Sequence, residues 1–235
     1  RNVLDVGMET PTGQRLESSV GMRASLDALR PAYDRMTARA KTESADGRRL
    51  GVGLGGMWYG IGKTGMPNAS TVRVDIESDG GVLVYSDCAD IGQGSDMVIR
   101  MICAETLGAP LDSVRLQAPD TDLTPNSGST CASRQTYVTG EAVHRASKDA
   151  FENLVRAAAD RLEVPSDLVR WEGDRVFVST HPERSIPLEN LNGGGKTVVT
   201  GEGVYNPDTT ALDRETGTGN PYGTYAFGAQ VALVE

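Results

Sequence analysis

Apolar positions along this chain change period several times, and each change marks an element. From about Ser19 to Ala40, Met22, Leu26, Leu29, Tyr33 and Met36 recur at three- and four-residue steps. That spacing predicts an amphipathic helix, kinked or restarted at Pro31. Ser44-Ala-Asp-Gly-Arg48 reads as a loop. Strand-like runs follow over Leu50–Tyr59, Ser70–Glu77 and Gly81–Asp87, the last two joined by the Asp-Gly hairpin turn Ser78-Asp-Gly-Gly81. A glycine loop at 92–96 then opens a helix to about Leu107, with Met97, Met101, Ala104 and Leu107 on one face and Gly108 as its stop. Val114–Ala118 reads as a short strand. The longest helix runs from about Thr139 to Leu162, and its apolar stripe is Ala142, Val143, Ala146, Ala150, Leu154, Ala158 and Leu162. Alanines dominate that stripe, so the helix is expected to pack closely. Trp171–Ser179 reads as a strand pair around Gly173-Asp174, His181-Pro-Glu-Arg184 as a turn, and Ile186–Leu191 as a short helix. Residues 193–223 read as a long loop before a final strand, Thr224–Glu235. Strands alternating with two well-marked helices, plus one antiparallel hairpin, give an α+β (mixed α/β) fold.

Composition narrows the classes. Glycine accounts for 28 of 235 residues, about 12% against a typical ~7%. The excess sits in short loops between patterned segments, which points to backbone approaching a ligand. The net charge of −9, without a basic stripe, excludes nucleic acid as a partner class. No run approaches the ~18 apolar residues of a membrane span, and no signal peptide is expected. Cys88, Cys103 and Cys131 form neither a disulfide framework nor an iron–sulfur or zinc signature, so a reducing, cytoplasmic setting is expected. His144 reads as a surface or interface histidine and His181 as part of a turn. The carboxylates show no paired acid–base spacing. No catalytic or metal-ligating residue is assigned. The chain opens without Met and closes inside a strand-like run, so both ends are expected to be cut.

Two loops carry the candidate chemistry: Asp90-Ile-Gly-Gln-Gly-Ser95 and Thr124-Pro-Asn-Ser-Gly-Ser-Thr-Cys-Ala-Ser-Arg-Gln135. Each lies directly before a helical pattern, a geometry that offers backbone N–H groups and a positive helix end to an anion. Gly92 and Gly94 allow close approach of the backbone, and Gln93 carries both a donor and an acceptor. The plainer alternatives are a tight strand-to-helix turn with Ser95 as N-cap and an ordinary Pro-Asn-Ser-Gly turn. Two such loops together suggest one large anionic cofactor gripped at both ends.

From Gly51 to about Leu162 the order of pieces resembles the molybdopterin-binding subunit of the xanthine dehydrogenase and aldehyde oxidase family. The pieces are a Gly-Leu-Gly strand, Trp58-Tyr-Gly-Ile-Gly62, the Asp-Gly hairpin, Gly-Gln-Gly with a helix, then Pro-Asn-Ser, Ala-Ser-Arg-Gln and a long helix. The wording is nearest to bacterial xanthine or nicotinate dehydrogenase-like members. The resemblance implies a lead-in segment and helix over 1–47 and a cofactor-binding domain over 48–235 whose C-terminal part is missing. It implies cofactor contacts from Ile91, Gly92, Gln93, Gly94, Ala132, Ser133, Arg134 and Gln135, with Ser133 and Gln135 on the pterin and Arg134 able to pair with phosphate. Ile61, Lys63 and Thr64 would line the substrate side. Lys63 stands where xanthine-oxidising members carry an aromatic, which puts a purine substrate in doubt. Because the family's metal takes its sulfurs from the pterin and an inorganic sulfide, Cys131 is read as a packing residue, and Cys88 and Cys103 as structural.

The implied activity is oxidative hydroxylation of an N-heterocycle (purine or nicotinate type) or an aldehyde. The implied cofactor is molybdopterin, in its cytosine dinucleotide form, with molybdenum; its diphosphate suits the 92–95 loop. Iron–sulfur clusters and FAD would reside on partner subunits or domains, alongside the remaining segments of the molybdenum subunit. The family's general-base glutamate would lie beyond residue 235, and Glu202 is not assigned that role, so the isolated chain is expected to be inactive. The alternative is a non-catalytic phosphate-ligand-binding or assembly module.

Overall fold

The structure, a computed structural model, describes residues 3–45 and 47–235. Its elements in chain order are helix α1 (Met22–Glu43), strands β1 (Gly51–Ile61), β2 (Ser70–Glu77) and β3 (Val82–Tyr85), helix α2 (Ser95–Leu107), strand β4 (Val114–Gln117) and helix α3 (Gly140–Leu162). Strands β5 (Val169–Glu172), β6 (Arg175–Val178), β7 (His181–Pro187), β8 (Thr197–Tyr205) and β9 (Thr224–Val234) complete the chain. The architecture is the expected mix of helices and sheets. It divides into two compact units, residues 1–66 with 208–235, and residues 67–207.

In the first unit β1 and β9 form an antiparallel ribbon in register from Gly51↔Val234 to Ile61↔Thr224, and α1 packs on it. The helix is continuous through Pro31, where a kink or restart was expected. Pro31 and Asp27 are both exposed. The Asp27 carbonyl, which loses its i+4 partner there, is thus available to water, and the break is avoided.

The second unit carries a four-stranded sheet in the order β4-β3-β2-β8. The β2–β3 hairpin turns at the expected Asp-Gly, with Ile76 opposite Val82. β3 and β4 are parallel, joined by the α2 crossover. The core is made by Val72, Val74 and Ile76 of β2, Val82 and Val84 of β3, Ile99 and Cys103 of α2, and the α3 stripe from Ala142 to Leu162. Every residue expected in that stripe is buried. The face of α2 is rotated from expectation. Ser95, Ile99 and Cys103 turn inward with Ala104 and Leu107, whereas Met97 and Met101 are about half exposed, at 47% and 53%.

Two strands replace expected loop or turn. β8 lies inside the run read as a long loop, pairs antiparallel with β2 and lies along α3. Its Gly201 and Gly203 hide the alternation of a strand, and packing explains them. A Cβ at Gly201 would collide with the backbone of Ala146 and Ala150, and one at Gly203 with that of Ala142 and Ala146. The close packing foretold by the α3 alanines is therefore met by glycines of β8. The segment from His181, read as a turn, is β7, one of the two edge strands of the β5-β6-β7 sheet. The actual turn is Ser179-Thr180, and the expected 186–191 helix shrinks to a single 3-10 turn at Leu188–Asn190.

Candidate functional site

The candidate site forms where β3 and the chain before α3 leave the sheet of the second unit. Ser127 ties three segments together. Its N–H donates to Asp87 Oδ1 (2.6 Å), and its hydroxyl donates to the Thr71 carbonyl (2.9 Å). That hydroxyl can then only accept from Ser86 Oγ, 3.1 Å away. Thr130 makes the second tie, donating to the Ala89 carbonyl and accepting from the Ala89 N–H, both at 3.1 Å. These short polar links bring the 90s and 130s segments side by side despite forty residues of intervening chain. They enclose a cleft of about 430 Å³, lined by Ile91, Gln93 and Ser95 on one side and Thr130 through Thr136 on the other.

The 90s loop is organised by its own carboxylate. Asp90 Oδ1 accepts the N–H groups of Gly92 (2.8 Å) and Gly94 (3.3 Å), and Oδ2 accepts that of Asp96 (3.1 Å). Gly92 and Gly94 have φ of +105° and +80°, which brings those N–H groups round to one point at no side-chain cost. Donation from Gly92 and then Asp96 holds the Asp90 carboxyl below its ordinary range. Asp96 moves the other way, raised by burial and by the Asp90 charge. Of the N–H groups expected to receive a diphosphate at 92–95, those of Gly92 and Gly94 thus already have an internal partner. The helix cap is Gly94 in a left-handed conformation, and Ser95 is the first, buried residue of α2.

Gln93 reaches the cleft with its amide already paired inside the loop. Its Oε1 accepts from the Ile91 N–H (2.6 Å), and its Nε2 donates to the Ala89 carbonyl (3.1 Å) and to Ser95 Oγ (2.8 Å). Gly92 and Gly94 shape the loop but do not line the cleft.

The 130s wall is strained. Ala132 and Ser133 both have positive φ, +52° and +54°, a conformation that costs a non-glycine residue about 1–2 kcal/mol. Their N–H groups find no acceptor among the described residues. Arg134 follows, and its role differs from expectation. It is only 1% exposed. Nε donates to Asn68 Oδ1 (2.8 Å), Nη1 to the carbonyls of Ser127 (2.7 Å) and Ser129 (3.2 Å), and Nη2 to those of Asn68 (2.8 Å) and Ala69 (2.9 Å). A guanidinium has five N–H donors, so none remains for a phosphate. Burial also draws its pKa down. Gln135 begins a single π-helical turn, Gln135–Thr139, that leads into α3. Its Nε2 donates to Thr130 Oγ1 (3.0 Å), its Oε1 accepts from Thr139, and Thr139 accepts from Ser70 (2.8 Å). Its side-chain amide therefore braces the loop.

Cys131, expected to be a packing residue, is exposed and lines the cleft, with Sγ 3.4 Å from Ser129 Oγ. Cys88 and Cys103 are buried as expected, and burial pushes the Cys103 thiol up to about 11. Ile61, Lys63 and Thr64 belong to the first unit, where Ile61 ends β1 opposite Thr224 and Thr64 Oγ1 donates to the Pro221 carbonyl (3.2 Å). Among the described residues no cluster of three or more His, Cys, Asp or Glu is placed to hold a metal ion, and no helix is long and apolar enough to cross a membrane. Asp90, Thr130 and Asn68 were missed as determinants of the site. The first two stand inside the hydroxyl- and glycine-rich runs, which was a signal; Asn68, 66 residues before Arg134, carried none.

The family described as molybdopterin cofactor-binding domain matches residues 28–235. The chain is 30% identical over 237 residues to the aldehyde oxidoreductase of Megalodesulfovibrio gigas, covering 100% of this chain and 23% of that protein. It is 32% identical over 197 residues to a putative xanthine dehydrogenase molybdenum-binding subunit of Escherichia coli (strain K12), covering 81% of this chain and 26% of that one. The solved aldehyde oxidoreductase from Desulfovibrio gigas is similar in fold, with a TM-score of 0.74 at 27% identity over 98% of this chain and 23% of its own. The chain spans about a quarter of the length of these relatives.

Proposed function

The chain belongs to the molybdopterin cofactor-binding domain family, and from that premise we propose that the cleft between its 90s and 130s segments holds the molybdenum cofactor of a larger hydroxylase. The observation that carries this reading is the meeting of two segments, distant in sequence, around one opening. One wall of that opening pairs backbone strain with amides that have no partner among the described residues. Strain of this kind persists only where the surroundings enforce it, and it gathers at ligand sites.

The residues present fit the group. The cleft volume lies in the ~300–1,000 Å³ range of small-molecule sites. Ala132 and Ser133 offer amides, and small side chains there leave room for a flat heterocycle. When bound, the cofactor supplies the oxidative chemistry. This chain's share is to orient it: Ile91 and Gln93 close one side, Ala132 and Ser133 present N–H groups on the other, and Arg134 and Gln135 hold that wall in place.

The same reading extends to the rest of the enzyme. The cofactor is the cytosine dinucleotide form, and iron–sulfur and FAD partners carry electrons away. Further molybdenum-subunit segments complete the site around the 48–235 domain, with 1–47 as its lead-in. Ile61, Lys63 and Thr64 line the substrate path for an aldehyde or an N-heterocycle of purine or nicotinate type. The assembly is cytoplasmic, and the isolated chain lacks turnover.

The test is the molybdenum content of the assembled enzyme carrying Gln93→Ala. Gln93 lines the cleft and keeps one lone pair of Oε1 for a neutral donor of the cofactor; such a hydrogen bond is worth about 0.5–1.5 kcal/mol, or roughly two- to tenfold in affinity. Retained molybdenum is expected to fall by that order while the melting temperature of the apo form changes little. Unchanged molybdenum content would remove Gln93 from the site.

A further inference from the structure

We propose that Asp90 is a positioning residue whose carboxylate fills the amide concavity of residues 92–96, sets Gln93 and closes this loop to phosphate. The 90s side of the cleft then takes an uncharged, hydrogen-bonding face of the cofactor, and the phosphate-bearing end lies away from it. This rests on the reading that the cleft holds the molybdenum cofactor and specifies how that cofactor is turned.

The loop has every local feature of an anion site. Gly92 and Gly94 carry positive φ, a thirteen-residue helix starts at Ser95, and three N–H groups converge. The convergence point is occupied by Asp90, within 2.8–3.3 Å of all three donors. A phosphate could bind only by displacing a tethered carboxylate. It would also meet Asp96, whose Oδ1 is buried without a hydrogen-bond partner among the described residues. Two acids at one helix end repel a third anion. Asp90 at the same time fixes the backbone on both sides of Gln93, through Gly92 and Gly94, and so aims a side chain that is itself hydrogen-bonded at Ile91, Ala89 and Ser95. Across the cleft, Ser133 and Ala132 carry amides without such a partner among the described residues.

The experiment is a titration of the 235-residue chain with inorganic pyrophosphate, followed by the backbone amide resonances of Gly92, Gly94 and Asp96 and the side-chain amide of Gln93. In the wild-type chain the three backbone resonances are expected to stay in place. Asp90→Asn keeps the Oδ1 acceptor for Gly92 and Gly94, removes the charge and frees the Asp96 N–H by putting an NH2 where Oδ2 accepted. It is expected to hold the Gln93 side-chain resonance near its wild-type position while binding pyrophosphate at these amides at least tenfold more tightly. Asp90→Ala is expected to collapse the Gln93 side-chain resonance to the solvent-exposed value, with the α3 amides unchanged as a control for folding. Pyrophosphate shifts in the wild type as large as in Asp90→Asn would overturn the proposal, as would a Gln93 resonance indifferent to Asp90→Ala. If Asp90→Ala does not fold, the wild-type and Asp90→Asn arms still decide it. All arms use the chain without cofactor, so their failure is distinct from that of the cofactor reading, which the molybdenum content decides.

Discussion

Arg134 is a cationic side chain with almost no exposed surface, and all its hydrogen bonds go to uncharged oxygens. Four carbonyl oxygens and one amide oxygen share its five N–H groups, so it works as a knot that ties Asn68 and Ala69 to Ser127 and Ser129. Lysine could not serve five acceptors arranged around a planar fork. The residue type pointed to an anion because arginine so often meets phosphate, but that reasoning cannot see which backbone oxygens the fold brings near. The cysteines divide along a similar line. Burial raises Cys88 and takes Cys103 up to about 11, whereas Cys131 stands exposed at the cleft. A thiol reagent at pH 8 is expected to modify one cysteine of the three quickly, and Cys131→Ser is expected to abolish the fast phase. Two fast equivalents in the native chain would show that the core around α2 is open.

At the scale of elements, the pairing of α3 with β8 determines the second unit. Ala142, Ala146 and Ala150 leave a flat face, and Gly201 and Gly203 lie against it without side chains. Inserting bulk into a well-packed contact costs about 1–3 kcal/mol. Gly203→Ala is expected at the upper end, because backbone of α3 stands in the way. A methyl group added at Gly53 of β1 would meet nothing within 4 Å, so Gly53→Ala should change stability by no more than about 0.5 kcal/mol. Urea midpoints of the two variants compare them directly, and equal midpoints would refute the close packing. The helices, the hairpin and the final strand were legible because their apolar spacing is regular and their turns use Asp-Gly and Gly stops. β8 was not, because the very glycines that let it approach α3 erase its alternation. β7 was hidden for another reason: six of its seven residues are exposed, so burial imposes no pattern on them.

At the scale of the molecule, the meeting of the two loops was legible, since each precedes a helix that leaves a common sheet. The internal pairing of Asp90, Gln93 and Arg134 was not, because it depends on hydrogen bonds that only the folded backbone defines. The account's central claim is that the cleft of the second unit holds the molybdenum cofactor. Cys131 offers the most direct handle, being exposed, lining the opening and lying outside the left-handed pair. Cys131→Phe fills the cleft from a position where bulk disturbs little of the core. The measurement is molybdenum per protomer in the assembled enzyme, with the variant and wild type matured under one cofactor supply and their apo melting temperatures compared. Molybdenum content reduced at least tenfold with the apo melting temperature unchanged is the predicted result. Full molybdenum content in the Cys131→Phe enzyme would contradict the assignment of the cofactor to this cleft.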